Sequence, residues 1–182
     1  MESLEGKFLI AAPELLDPNF VRTVVLMVQH NEQGALGLVV NRPSSKTVRE
    51  LWSEVGEEPC ENEQPVHLGG PVAGPLMAIH GLGGLAEIDV ADNIFFAARK
   101  ENLDRLVLCD DVPLKLFVGH SGWGPGQLEK EMEMGGWFTA PAAPEFVFND
   151  DPDVWSQLLR RRDSRVAAML NIRTQPTDPS MN

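Results

Sequence analysis

Short apolar runs separated by proline, glycine and asparagine set the rhythm of the first forty residues. Phe8, Leu9, Ile10, Ala11 and Ala12 form a run stopped by Pro13, a length and punctuation that predict a buried strand. After turn chemistry at Asp17, Pro18 and Asn19, residues 23–28 are apolar and β-branched and predict a second strand. A four-residue link, 31–34, ends in Gly34 and leads to the apolar run 35–40, so the two runs should pair as an antiparallel hairpin. Asn41, Arg42, Pro43 and Ser44 close it as a turn. Thr47 and Glu50 have the spacing of a capping box ahead of Leu51, Trp52 and Val55, which predicts a short amphipathic helix.

Residues 56–65 are acidic and aperiodic and predict an exposed loop. Strands are expected over 66–68, 76–79, 85–90 and 93–97, divided by glycine turns at Gly69, Gly70 and Pro71 and at 81–84. Leu103, Leu106 and Val107 have helical spacing within 98–109, and residues 115–118 predict a strand. Leu128 and Met132 place a helix over 127–134, and residues 137–139 and 145–148 look like strands. Asp151 and Pro152 read as an N-cap and first residue of a helix with Val154, Trp155, Leu158 and Leu159 on one stripe. Residues 164–171 either continue it or form a second short helix. One domain is expected over 1–173, with 174–182 as a flexible tail. Hairpins without a strand–helix cadence favour an α+β class over a doubly wound sheet.

A chain of 182 residues buries roughly 70% of its extended surface, enough for a core without disulfides. Its 27 acidic and 15 basic side chains leave a formal charge of -12, a field that repels phosphate backbones and anionic lipid. Direct nucleic-acid binding is therefore disfavoured and no membrane contact is expected. The exception is the group Arg160, Arg161, Arg162 and Arg165, which reads as a solvated last helical turn or as a local anion patch. Cys60 and Cys109 belong to no Cys-x-x-Cys pair, so neither zinc nor a redox dithiol is indicated and a reducing cytoplasm fits. The N-terminus lacks a basic start and long apolar run, and no stretch reaches 18 apolar residues.

The segment richest in candidate chemistry is Gly119, His120, Ser121, Gly122, Trp123, Gly124, Pro125, Gly126 and Gln127, between a strand and a helix. Glycines let backbone amides converge, and the first turn of the next helix leaves N–H donors unpaired, so a small anion or a protein partner could be held there. Asn41 and Arg42, and the turn Gly69 and Gly70, are candidates to share that site. The competing reading makes Trp123 a core plug and Gln127 a cap for the loop's own backbone. The loop is neither a Walker loop nor a dinucleotide fingerprint. Ser121 follows a strand, yet Trp123 occupies the place of the second glycine of a nucleophile elbow and no histidine follows His120, so no hydrolase triad and no catalytic residue is assigned. His30, His67, His80 and His120 all end predicted strands, but their spacing matches no metal motif, so no metal or cofactor is expected.

Taken in order, residues 8–13, 34–43, Gly69-Gly70-Pro71, Ile79-His80 and 122–129 resemble the AlgH/YqgE family, the stretch from Gly122 to Glu129 being the most distinctive. The likeness runs from about residue 5 to about residue 160. The resemblance implies an α+β fold with a mixed, largely antiparallel bifurcated sheet, partly closed like a small barrel and surrounded by helices. It also implies a bacterial regulatory or interaction protein, labelled a transcriptional regulator, whose action is indirect and non-catalytic. His120 departs from the family's more frequent aromatic residue, and the chain contains no tyrosine. The alternative is a small-anion binder or an enzyme using loop 119–127 with Arg42 and His120.

Overall fold

The computed structural model describes residues 1–174, with side chains described as far as Met169; of the expected tail 174–182, residues 175–182 lie outside the described residues. The chain runs β1 (Lys7–Ala11), β2 (Val24–Asn31), β3 (Gly34–Val39), β4 (Pro43–Thr47), α1 (Val48–Val55), β5 (Pro65–Leu68) and β6 (Met77–His80). A 3-10 turn (Gly83–Leu85), β7 (Ile88–Ala91), β8 (Ile94–Ala97), α2 (Lys100–Val107) and β9 (Leu114–Val118) follow. The remainder is β10 (Ser121–Trp123), α3 (Gln127–Glu133), β11 (Trp137–Pro141), α4 (Pro144–Val147) and α5 (Val154–Thr174).

The strands form two sheets, β10-β3-β2-β1-β11 and β4-β5-β9-β6-β8-β7. Every pair is antiparallel except β5 with β9, so the α+β class and the mixed, largely antiparallel pairing are as expected. Each sheet ends on two edge strands, and neither is a closed barrel. Alternation along β1 explains how both faces of its sheet are covered. Phe8 and Ile10 join Leu26, Leu38, Ile79, Phe96 and Phe117 in the core between the sheets, with Val147, Val154 and Leu158 at its end. Leu9 and Ala11 face the other way, toward Val25, Met27, Trp123, Leu128 and Trp137. The outer face of the second sheet packs on α1 and α2 through Leu51, Trp52, Leu103 and Leu106. Strands buried on both faces read as unbroken apolar runs, as residues 24–28 do.

The Thr47–Glu50 capping box forms as the sequence predicts. The hairpin is tighter than expected: Asn31 pairs with Gly34, leaving only Glu32 and Gln33 in the turn, and the register shifts between Met27 and Gln29. Residues 43–47, expected as a turn and cap, make β4; Pro43 is tolerated because β4 is an edge strand whose outer side needs no donor. The expected strand 145–148 is instead α4, since Pro144 at its first position supplies helical φ where the missing N–H costs nothing. The expected strand 85–90 begins only at Ile88, because Leu85 ends the 3-10 turn. Loop 56–65 is not wholly exposed: Cys60 inserts into the core beside Trp52. The last helix starts at Val154 rather than Pro152 and continues unbroken, which decides between the two readings of residues 164–171.

Candidate functional site

The glycines at the strand ends permit a crossing of two chain segments. Val72 and His120 exchange backbone hydrogen bonds, Gly69 N–H donates to the Val118 carbonyl, and the Ser121 hydroxyl donates to the Gly69 carbonyl at 3.0 Å. A Cβ on Gly70 would stand 2.3 Å from the His120 carbonyl, and Gly70 itself has φ +154°. Gly70→Ala should therefore lower unfolding free energy by roughly 2–3 kcal/mol through overpacking against unyielding backbone, read as a lower denaturation midpoint at unchanged slope.

The structure thus brings Gly69, Gly70, His120 and Ser121 together, with Ser121 fully buried. It extends Ser121, Gly122 and Trp123 as β10, paired to β3 through Gly37, Leu36 and Ala35, an edge strand that the glycine content had hidden. Gly124 N–H donates to the Gln127 side-chain oxygen, Gln127 N–H donates to the Gly124 carbonyl, and Gly126 takes the left-handed conformation at the start of α3. Asn41 ties the ends of β2 and β3 by accepting from Val24 N–H and donating to the Arg22 carbonyl. The Arg42 guanidinium donates to the carbonyls of Pro18, Asn19 and Val21. Burial pulls its pKa down, partly offset by Asp17. Arg42 and Gln127 therefore direct their side chains to different partners, away from the Gly69–His120 crossing.

What the glycine loop builds lies one helical turn further on. Trp123 and Trp137 are 5% and 3% exposed, and both indole N–H groups donate to one oxygen of Glu131, at 3.0 and 2.9 Å. The Gln127 amide donates to the other oxygen at 3.3 Å. Phe20 stacks on Trp123 with centroids 5.8 Å apart and meets Trp137 edge-on at 5.4 Å. These groups adjoin a groove of about 310 Å³ whose lining includes Phe20, Trp137 and Met134 together with Glu14, Asp17 and Glu131. Among the described residues no basic side chain lines it, and none of the ion pairs involves Glu131. Half-buried negative charge beside aromatic faces is the chemistry that holds a cation. The sequence reading missed Glu131, Trp137 and Phe20 as site residues. The only advance signal was Trp123 and Gln127, which hold that carboxylate.

The four histidines occupy separate neighbourhoods. His30 accepts from Leu4 N–H and bonds Glu129 at 2.8 Å. His80 accepts from Leu82 N–H, and burial lowers its pKa against the opposing pull of Glu87. The Nδ1 of His120 is buried without a partner among the described residues. His67 lies 3.6 Å from Asp150, which also lies 3.5 Å from Lys115; the lysine donates to the Val40 carbonyl at 3.0 Å. Burial, then Lys115, pushes His67 down to about 4, and burial lowers Lys115 as well. No three potential metal ligands cluster among the described residues. No helix among them is long and apolar enough to cross a membrane.

Comparison with known proteins matches residues 8–167 to the AlgH-like family model. A UPF0301 protein of Chlorobium limicola is 38% identical over 184 residues, covering 97% of this chain and 95% of the relative. Another from Streptomyces coelicolor is 33% identical over 206 residues, covering 100% and 97%. The solution structure of the AlgH protein from Pseudomonas aeruginosa superposes with a TM-score of 0.69 at 30% identity, covering 95% and 94%. A crystal structure from Corynebacterium diphtheriae gives 0.71 at 27% identity, covering 88% and 87%. The Gly122–Glu129 stretch that carries the resemblance is the same one that sets Trp123 and Gln127 on Glu131, and with the match spanning most of the chain the protein belongs to the AlgH-like family.

Proposed function

We propose that this protein works as a binding protein, with the groove between the 14–20 turn and the α3–β11 junction receiving a lysine or arginine side chain of a protein partner. The observation that carries the reading is the Glu131 carboxylate, oriented by two indoles beside Phe20 and Trp137 and in no ion pair among the described residues. Met134 at the groove and Leu16 nearby in the chain are 86% and 82% exposed, which supplies apolar contact around a central charge. The regulatory role implied by the family resemblance would then run through protein contact in the cytoplasm, where the unpaired Cys60 and Cys109 stay reduced. The charge of -12 favours a basic protein segment over nucleic acid.

The test is titration with an arginine- and lysine-rich peptide, followed by calorimetry at two salt concentrations. Asp17→Asn and Glu131→Gln should each weaken binding by about tenfold, the worth of one charge-assisted contact. Asp17 is at the turn and leaves the indole pair intact, so its effect is read on a folded protein. Equal affinity of both variants and the parent would overturn the reading, as would failure of the peptide to bind at low salt.

A further inference from the structure

A second, oppositely charged site lies on α5. Its four arginines between residues 160 and 165 are not equivalent. Arg160 pairs with Asp153 at 3.1 Å and Arg162 with Asp163 at 3.4 Å, whereas Arg161 and Arg165 enter no ion pair among the described residues. The Arg161 guanidinium lies over the Phe146 ring at 4.9 Å, and that of Arg162 over Phe138 at 3.5 Å. Stacking fixes the plane of a guanidinium on one face and leaves its N–H edge free for an oxyanion. Phe146, Arg161 and Arg165 line two adjoining clefts, one of about 530 Å³ and one of about 280 Å³.

The two clefts differ in chemistry. The larger has evenly mixed polar and apolar walls and carries Gln157, Arg160 and Ser164 beside the shared arginines. The smaller runs between α5 and residues 139–143 at the edge strand β11, and its walls are mostly apolar, including Leu158, Val166 and Met169. Val166 and Met169 are 43% and 65% exposed, an apolar cost that an aliphatic occupant would remove. An apolar trough bordered by Arg161, whose guanidinium is held against Phe146, and by the exposed Arg165, on a chain otherwise strongly acidic, selects for a molecule with both features.

We propose that this α5 site binds a free amphipathic carboxylate, its aliphatic chain in the trough beside Val166 and Met169 and its headgroup on Arg161 and Arg165. The trough is a cleft of about 280 Å³ between α5 and residues 139–143 rather than a flat face, so it takes one chain from solution rather than a bilayer surface.

The experiment uses the full chain and decanoate below its micelle concentration, followed by calorimetry and by melting temperature. Decanoate should bind and raise the melting temperature, while acetate and decanol, which carry the head or the tail alone, should do neither at the same concentration. Arg161→Gln combined with Arg165→Gln should weaken decanoate binding by tenfold or more, with circular dichroism unchanged because both side chains are exposed. Met169→Glu should weaken it as well by placing charge in the trough. The same variants should leave binding of the basic peptide to the Glu131 groove unchanged, which separates the two sites. The proposal is overturned if decanoate does not bind, if the double variant binds it as tightly as the parent, or if anionic vesicles sediment the protein while free decanoate has no effect.

Discussion

Trp123→Ala should remove roughly 3–5 kcal/mol of unfolding free energy, the cost of emptying a large aromatic site in a packed core. The indole is 5% exposed, packs with Leu9, Val25, Leu128 and Trp137, and stacks on Phe20. Its loss also leaves one hydrogen bond fewer on Glu131, at a point where β10, α3 and β11 meet. Trp123→Phe separates the two contributions, since it keeps most of the volume and deletes the N–H donor; it should cost about 1–2 kcal/mol. Urea denaturation followed by far-ultraviolet circular dichroism measures both. A loss below about 1 kcal/mol for the alanine variant would show that the aromatic cluster does not hold this end of the molecule together.

Acidification should destabilise the protein before its carboxylates titrate. His67 has a folded pKa of about 4 against an ordinary 6.5, because burial and then Lys115 oppose its charged form. The unfolded chain therefore takes up a proton that the folded one refuses. Stability from this residue is full above pH 6.5, falls as the pH drops from 6.5 toward 4, and changes no further below that. The total is about 3 kcal/mol, at 1.36 kcal/mol for each pH unit of displacement. His80 is displaced in the same direction by burial and adds to the slope. Lys115, lowered by burial, acts at the alkaline end, where stability rises as the pH passes through its folded pKa toward 10.5. Denaturation midpoints at pH 7, 6 and 5 give the slope. In His67→Gln it should be markedly flatter, and an unchanged slope would assign the acid sensitivity to other groups.

The fate of Lys115 shows where local reading stops. In the sequence it is a lone charge opening an apolar strand, which is compatible with a solvent-facing position. In the fold β9 is an inner strand with both faces covered, so the ammonium must find acceptors, and it finds the carbonyls of Val40 and Asn149 and the carboxylate of Asp150. The strands β1, β2, β3 and β9, the capped helix α1 and the helix α2 were legible because each depends on periodicity or end chemistry within about ten residues. The segment 145–148 was misread because four residues carry too little periodicity to separate a strand from one helical turn, and Pro144 decided it. The short strand β10 was hidden for a related reason: its glycine reads as loop, and only pairing with β3 makes it a strand.

The candidate site divides along the same line. Gly69 and Gly70 read as a turn that could share a site with loop 119–127, and the two segments do meet, joined by a bond between residues 52 positions apart in the chain. That Trp123 and Gln127 serve Glu131, and that Phe20 and Trp137 complete the aromatic wall, follows from packing of α3 against the outer face of the first sheet. By itself the amino-acid sequence determined the α+β class, most elements, the family and the acidic character of the molecule, because backbone propensity, capping and charge are local or additive properties. Which side chains share an environment was decided only by tertiary structure: burial, desolvation and hydrogen-bond partnership depend on neighbours that the chain brings together from distant positions, and those neighbours made Glu131, His67 and Arg161 chemically distinct from other residues of their kind.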